Sequence, residues 1–215
     1  MAGAITRFDK IYSSGPLTMG ASAQTGDILV VAGSDNNAAH ITVSSVTGVS
    51  VGSWTEQKAV LNVGGNTSAA ILTAAVTSGG APPVITITGS GSDRGFGAWI
   101  VSGASQSVTN SGSVSGGTNP NASSGAGASG TLICHWANEA VGAWSAWTNT
   151  GGTTNDEGEN ATHFDRFGDQ VGVSSGTYTV GCTATASDNN LTLFIYLPDS
   201  GGAVTSTGFQ RWWFS

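Results

Sequence analysis

The chain has 215 residues, 33 of them Gly, and only 9% are charged, against roughly 25% in an average soluble domain. Six Lys and Arg against thirteen Asp and Glu give a net charge of −7, which argues against a phosphate-neutralising nucleic-acid surface or a basic membrane-surface patch. Seven Trp, seven Phe and 39% hydrophobic residues are too many for a disordered chain, and the Gly residues lack the three-residue period of collagen.

The first twenty residues lack a basic region followed by an apolar one, so no signal peptide is expected from them. They read as an N-terminal contact segment, residues 1–20, carrying Arg7 and Lys10. Gly26-Asp27 marks a turn into a buried strand over 28–32, the longest apolar run and far short of the roughly 20 residues that span a bilayer. Residues 40–44 alternate with period two, and 54–63 read as a long strand after a Gly-rich turn. Residues 68–76 are Ala-rich, which suits a helix, but their length between Gly65 and Gly79 suits a strand, and every neighbour is a strand. The β-branched alternation of 84–88 is that of a half-buried strand. A strand over 96–101 follows, and 102–130 is a low-complexity stretch rich in Ser, Gly, Asn and Ala. It reads as a linker between two domains or, the preferred reading because neither flank looks able to bury a core alone, as a long crossover with edge strands. Further strands are expected over 131–136, 141–147, 170–173, 177–185 and 191–197. Short strands separated by Gly, Asn and Asp predict an all-β protein with a jelly-roll-like antiparallel β-sandwich. The expected organisation is a single sandwich over 21–200 and an aromatic contact tail over 201–215.

A faint internal echo links Gly26-Asp27-Ile28-Leu29-Val30-Val31-Ala32 to Gly130-Thr131-Leu132-Ile133-Cys134-His135-Trp136. Two central strands, one opening each half of the sandwich, would explain it.

Motifs with chemistry in them are few. Gly48-Val49-Ser50-Val51-Gly52 and Gly172-Val173-Ser174-Ser175-Gly176 match the spacing of a nucleophile elbow. That device needs a strand-to-helix turn, and strand-like sequence follows both. Gly89-Ser90-Gly91-Ser92-Asp93-Arg94-Gly95 has Arg94 where a dinucleotide fingerprint needs its third glycine, so it reads as a hairpin loop. Asp156, Glu157 and Glu159, near His163 and Asp165, read as a solvated acidic loop, with Ca²⁺ as the alternative. His40, His135 and His163 are scattered without metal-ligand spacing. Cys134 and Cys182 read as two buried thiols, since the immunoglobulin Cys…Trp…Cys order lacks its tyrosine, Val180 standing in that place. No cofactor is expected.

Trp54 and Trp99 sit beside apolar strand positions and read as core. Trp144 and Trp147 fall on opposite strand faces, so only one of them could join a sugar-stacking platform. The C-terminal run Phe209-Gln210-Arg211-Trp212-Trp213-Phe214-Ser215 concentrates four aromatics. Each buries roughly 150–250 Å² when packed, worth several kcal/mol at about 25 cal/mol per Å². The tail packs either back on its own domain or on a neighbouring subunit or partner; on the second, preferred reading Phe209, Arg211, Trp212, Trp213 and Phe214, with Arg7 and Lys10 from the other end, are the candidate partner-binding residues.

Gly26-Asp27-Ile28-Leu29-Val30-Val31, then Gly52-Ser53-Trp54-Thr55, then Ile71-Leu72-Thr73-Ala74-Ala75-Val76 with Thr77-Ser78-Gly79 carry a resemblance. So do Ala98-Trp99-Ile100-Val101-Ser102-Gly103-Ala104 and the final Leu193-Phe194-Ile195-Tyr196-Leu197-Pro198. Over most of residues 20–198 the chain resembles the β-sandwich proteins of tailed-phage structural gene clusters and prophages. These include minor tail or fibre-associated proteins and capsid decoration (cement) proteins. The resemblance implies a non-enzymatic virion protein, made in the host cytoplasm, with no catalytic residues to carry over. It implies a homo-oligomer, a trimer on a capsid surface, whose partners are the major capsid protein or neighbouring virion subunits, with neither nucleic acid nor membrane bound. The alternative is a carbohydrate-binding module, or a minor tail or fibre protein, acting in host recognition.

Overall fold

A computed structural model describes residues 3–13, 15–36, 40–63, 67–89, 94–108, 110–115, 122–126, 129–138, 144–147, 153–160, 163–173, 176–184 and 190–200. Strands recur wherever β-branched and apolar residues alternate between Gly, Asn or Asp turns. The first part of the chain gives β1 (Ala4–Ile11), β2 (Leu17–Thr18), β3 (Ile28–Asp35), β4 (Thr42–Thr47), β5 (Ser50–Val51), β6 (Thr55–Val63), β7 (Thr67–Ser78), β8 (Val84–Thr88) and β9 (Arg94–Ser102). The second gives β10 (Asn110–Ser115), β11 (Ala122–Ala126), β12 (Gly130–Asn138), β13 (Trp144–Trp147), β14 (Thr153–Asn160), β15 (His163–Val173), β16 (Gly176–Val180), β17 (Cys182–Ala184) and β18 (Leu191–Pro198). The protein is all-β, with no helix among the described residues, and its strand pairings are antiparallel.

One large sheet runs β1-β9-β3-β7, with β5 and β6 both on β7, and another runs β10-β18-β12-β15-β14. Smaller sheets run β2-β8-β4, β11-β16 and β13-β17. Substituting β10, β12, β14, β15 and β18 for β1, β3, β6, β7 and β9 turns the first large order into the second. Substituting β11, β13 and the broken pair β16/β17 for β2, β4 and β8 does the same for the small sheets. The chain therefore runs twice through one strand plan. The antiparallel sheets are consistent with the jelly-roll-like sandwich expected from the sequence.

The two large sheets stack face to face. β3 lies against β12, β7 against β18, β9 against β15 and β6 against β10. In this stacking β3 meets its own counterpart, β7 and β9 each meet the counterpart of the other, and β6 meets the counterpart of β1, as a two-fold axis through the β3–β12 crossing requires. Both faces of β3 are buried because it lies in the middle layer. Ile28, Val30 and Ala32 pack with Trp99, Ile133, Phe167, Leu193 and Ile195 in the seam between the large sheets. Leu29 and Val31 pack on the other side with Leu17, Met19, Ile41, Ile85 and Ile87. The continuous apolar run of residues 28–32 is the signature of a strand covered on both sides.

Several expectations need correction. The acidic stretch is not a loop: residues 153–160 are β14, paired to β15 with Glu157 opposite Arg166 and Gly158 opposite Asp165. As the outer strand of its sheet, β14 occupies a place where charge is tolerated and discourages further pairing. The strand expected at 170–173 begins at His163. His40 precedes β4 instead of lying within it. The echo joins two strands that are indeed central and topologically equivalent, but its alignment is one residue out. Ile28 faces the seam, whereas in β12 the seam residues are Ile133 and Ala137, not Leu132.

Candidate functional site

The seam between the large sheets holds a cluster of buried polar side chains. Ser34 continues the seam-facing alternation of β3, and His135 interrupts the apolar face of β12. On β15, Asp165, Phe167 and Asp169 share one face by the period of two. Asp165 Oδ1 accepts a 2.6 Å hydrogen bond from the Ser34 hydroxyl and lies 2.7 Å from His135 Nε2. All three residues have zero exposure. The His135 ring stacks on Phe167 at 5.0 Å with an interplanar angle of 8°. A second bridge, 2.9 Å long, runs from the Trp99 indole N–H to Asp169 Oδ2. Both bridges cross from the first pass of the chain to the second.

Ser, His and Asp together invite comparison with a nucleophile triad, but the order is wrong for one. In a triad the imidazole stands between hydroxyl and carboxylate and takes the hydroxyl proton. Here the carboxylate stands in the middle, and the hydroxyl points its proton at Asp165. His135 Nδ1 and Asp165 Oδ2 have no hydrogen-bond partner among the described residues. Gly95 lies so close that a Cβ there would collide with Asp165 Oδ2, which explains the absence of a side chain. The arrangement can cross-link two sheets. It offers a reactant no open face.

Cys134 sits on the opposite face of β12, fully buried and unbridged. Burial pushes its thiol well above the ordinary value of 9.0, and the Asp169 charge adds to the shift. It therefore stays protonated and unreactive at neutral pH. Among the described residues no group of three His, Cys, Asp or Glu is placed to hold a metal ion. His40 instead approaches Glu56, Nε2 to Oε2 3.1 Å.

The N-terminal candidates belong to β1, paired along β9. Arg7 forms a two-pronged bond with Asp9, Nε to Oδ2 at 2.7 Å and Nη2 to Oδ1 at 2.5 Å, and the Gly20 amide donates to Asp9 Oδ2 at 2.8 Å. Partial burial pushes the Asp9 carboxyl up, but the Arg7 hydrogen bond, the Gly20 amide and the Arg7 charge outweigh it and hold the carboxyl below its ordinary value. Lys10 lies 5.0 Å from the centre of the Tyr12 ring, and burial lowers its pKa. Three residues apart on a strand, Arg7 and Lys10 take opposite faces and do not form one basic patch. Phe209, Arg211, Trp212, Trp213 and Phe214 lie outside the described residues.

Trp99 and Trp136 are wholly enclosed, and Trp54 is half-buried against the core of the first pass. The core reading of Trp54 and Trp99 therefore holds. Trp144 and Trp147 are paired in β13 with Ala184 and Cys182, and their side chains lie outside the described residues. The sequence reading missed Ser34, Asp165 and Asp169 as a set. The legible signal was Asp-x-Phe-x-Asp over 165–169, a period-two pattern of polar residues around a large ring.

No protein-family model, curated protein or solved structure matches the chain.

Proposed function

We propose that the chain is a non-enzymatic structural protein of a tailed-phage virion, a capsid decoration protein that binds the particle surface as a homo-oligomer. The observation that carries this reading is the use of the seam's polar groups. The Ser34 hydroxyl and the Trp99 indole of one sheet are spent on Asp165 and Asp169 of the other, His135 shares the Asp165 carboxylate, and all five residues are buried. A chain built this way fixes how its sheets stack without a cofactor, which suits a particle component. Its resemblance to phage β-sandwich proteins and its low charge support the same assignment. The C-terminal aromatics Phe209, Trp212, Trp213 and Phe214, with Arg211, anchor it to the major capsid protein or a neighbouring subunit. Arg7 and Lys10, on opposite faces of β1, each offer a separate further contact.

The test is reconstitution. Purified full-length protein is added to particles of its own phage assembled without it, beside a variant lacking residues 209–215. The expected result is saturable binding by the full chain as a trimer in native mass measurement. The truncated form, still folded, binds at least tenfold more weakly. Particle binding that survives the truncation would remove the anchor. Binding confined to isolated tails would move the protein to a minor tail or fibre role.

A further inference from the structure

The segment joining the two passes, residues 103–108, returns across the start of β6 and leaves a groove of about 510 Å³. Its lining is Ser53, Thr55, Gln57, Gln106, Ser107 and Val108. None of these side chains is charged. Gln57 Nε2 donates to the Thr73 hydroxyl at 2.7 Å and to the Gln106 main-chain oxygen at 3.4 Å. Gln106 Nε2 donates to the Thr73 carbonyl at 3.2 Å, with the Ser53 carbonyl and Thr55 hydroxyl at 3.5 Å. Both carboxamides are thus fixed with their donors turned into the wall. Neither Oε1 has a hydrogen-bond partner among the described residues.

Two pre-oriented neutral acceptors, flanked by the exposed Ser53 and Ser107 hydroxyls, suit a ligand that presents several neutral O–H donors on a compact frame. Hydroxyls can donate and accept, and side chains already held in place lose little freedom on binding. Val108 supplies one apolar contact for a C–H face. With no cation in the lining, nothing there compensates an anionic ligand for its lost hydration. The volume falls within the range of small-ligand sites, roughly 300–1,000 Å³.

We propose that this groove binds a neutral mono- or disaccharide unit of a surface glycan. The site uses carboxamides and hydroxyls in place of a Trp platform, and Trp54, although adjacent in sequence, turns into the core. It goes beyond the assembly role and does not depend on it, so failure here leaves the particle-binding experiment untouched.

The test is saturation-transfer NMR on the full-length protein with maltose, cellobiose, lactose and mannobiose, and a hyaluronan disaccharide as the anionic control. At least one neutral probe should bind saturably, with Kd of order 1 mM or tighter. Gln57→Ala should weaken that binding at least tenfold. Because Gln57 also bonds the wall, Ser107→Trp serves as the second variant. It starts from an exposed position, fills the groove and removes none of the carboxamide bonds. Its melting temperature should match the parent while binding falls at least tenfold. The proposal is overturned if no neutral probe saturates, if S107W binds like the parent, or if the anionic control binds equally well.

Discussion

Asp165 is the residue on which the seam's polar geometry converges. Replacing it with Ala leaves the Ser34 hydroxyl and the His135 ring enclosed without a partner. Breaking a buried pair from one side costs about 3–5 kcal/mol, so Asp165→Ala should lower the unfolding free energy by about 3 kcal/mol or more. Urea titration followed by Trp fluorescence measures this. The triple change Ser34→Ala, His135→Leu, Asp165→Leu should recover a large part of the loss, because an apolar replacement leaves no unpaired group. A triple variant weaker than D165A would show that the bridge itself, not the unpaired remainder, supplies the stability. Cys134 makes a prediction of opposite character. Its folded pKa is raised by burial and then by Asp169, so above the ordinary value of 9.0 the unfolded chain loses a proton that the folded chain keeps. The unfolded state then binds fewer protons, and stability falls as pH rises, by up to about 1.4 kcal/mol per pH unit for one group. Below that value the contribution is fully present. Cys134→Ala should flatten the alkaline limb relative to the parent, read from denaturation midpoints between neutral and alkaline pH. Identical slopes for parent and variant would rule out the thiol as the cause.

At the scale of the element, β1 is sheet before it is a contact segment. Phe8 lies against Trp99 with ring centroids 4.8 Å apart and against Phe167 at 5.8 Å. The strand thus closes one end of the seam. Gly97 permits that approach, because a Cβ there would stand 2.7 Å from the Phe8 ring and 3.0 Å from Phe167. Phe8→Ala should cost about 2–3 kcal/mol, below the usual range for a large ring because Phe8 is only partly buried. Thermal unfolding tests it, and an unchanged midpoint would mean that β1 does not depend on this packing. How much the sequence revealed follows from the same physics. Residues 84–88 were legible because Val, Ile and Thr alternate cleanly, and 28–32 because an uninterrupted apolar run bounded by Gly26-Asp27 has few other readings. Ala-rich 68–76 could be placed as a strand only through its neighbours. β14 was illegible since Asp156, Glu157 and Glu159 have low strand propensity; its partner β15 decided the matter from outside the segment. The Ser34–Asp165–His135 bridge spans 131 residues between Ser34 and Asp165, and no local pattern in one sequence joins such distant groups. The glutamine groove was equally hidden, because it is assembled from β6 and the joining segment between the passes.

The whole molecule is a doubled strand plan whose two large sheets bury each other. Removing one pass strips the seam face of the other, leaving Ile28, Val30, Ile71, Trp99 and Val101 as a contiguous apolar surface. Soluble monomers rarely expose patches larger than a few hundred Å², and burying each large apolar side chain contributes roughly 1.5–3 kcal/mol. Residues 1–108 expressed alone should therefore not behave as a stable monomer. The stacking also states what the fragment should do instead. Since a two-fold axis through the β3–β12 crossing relates the stacked sheets, the exposed face is shaped for a surface of the same plan. Fragment 1–108 should self-associate through that face, whereas mixing it with fragment 109–215 should restore a one-to-one complex held by the Trp99–Asp169 and Ser34–Asp165 bridges. Size-exclusion chromatography with light scattering, run on each fragment and on the mixture, reads all three states. Val30→Lys in the first fragment should suppress self-association and recombination together, because residue 30 is fully enclosed in the seam. A fragment 1–108 that runs as a monomer and melts at the temperature of the full chain would mean that the seam is a contact between two self-sufficient units, not the core that they share.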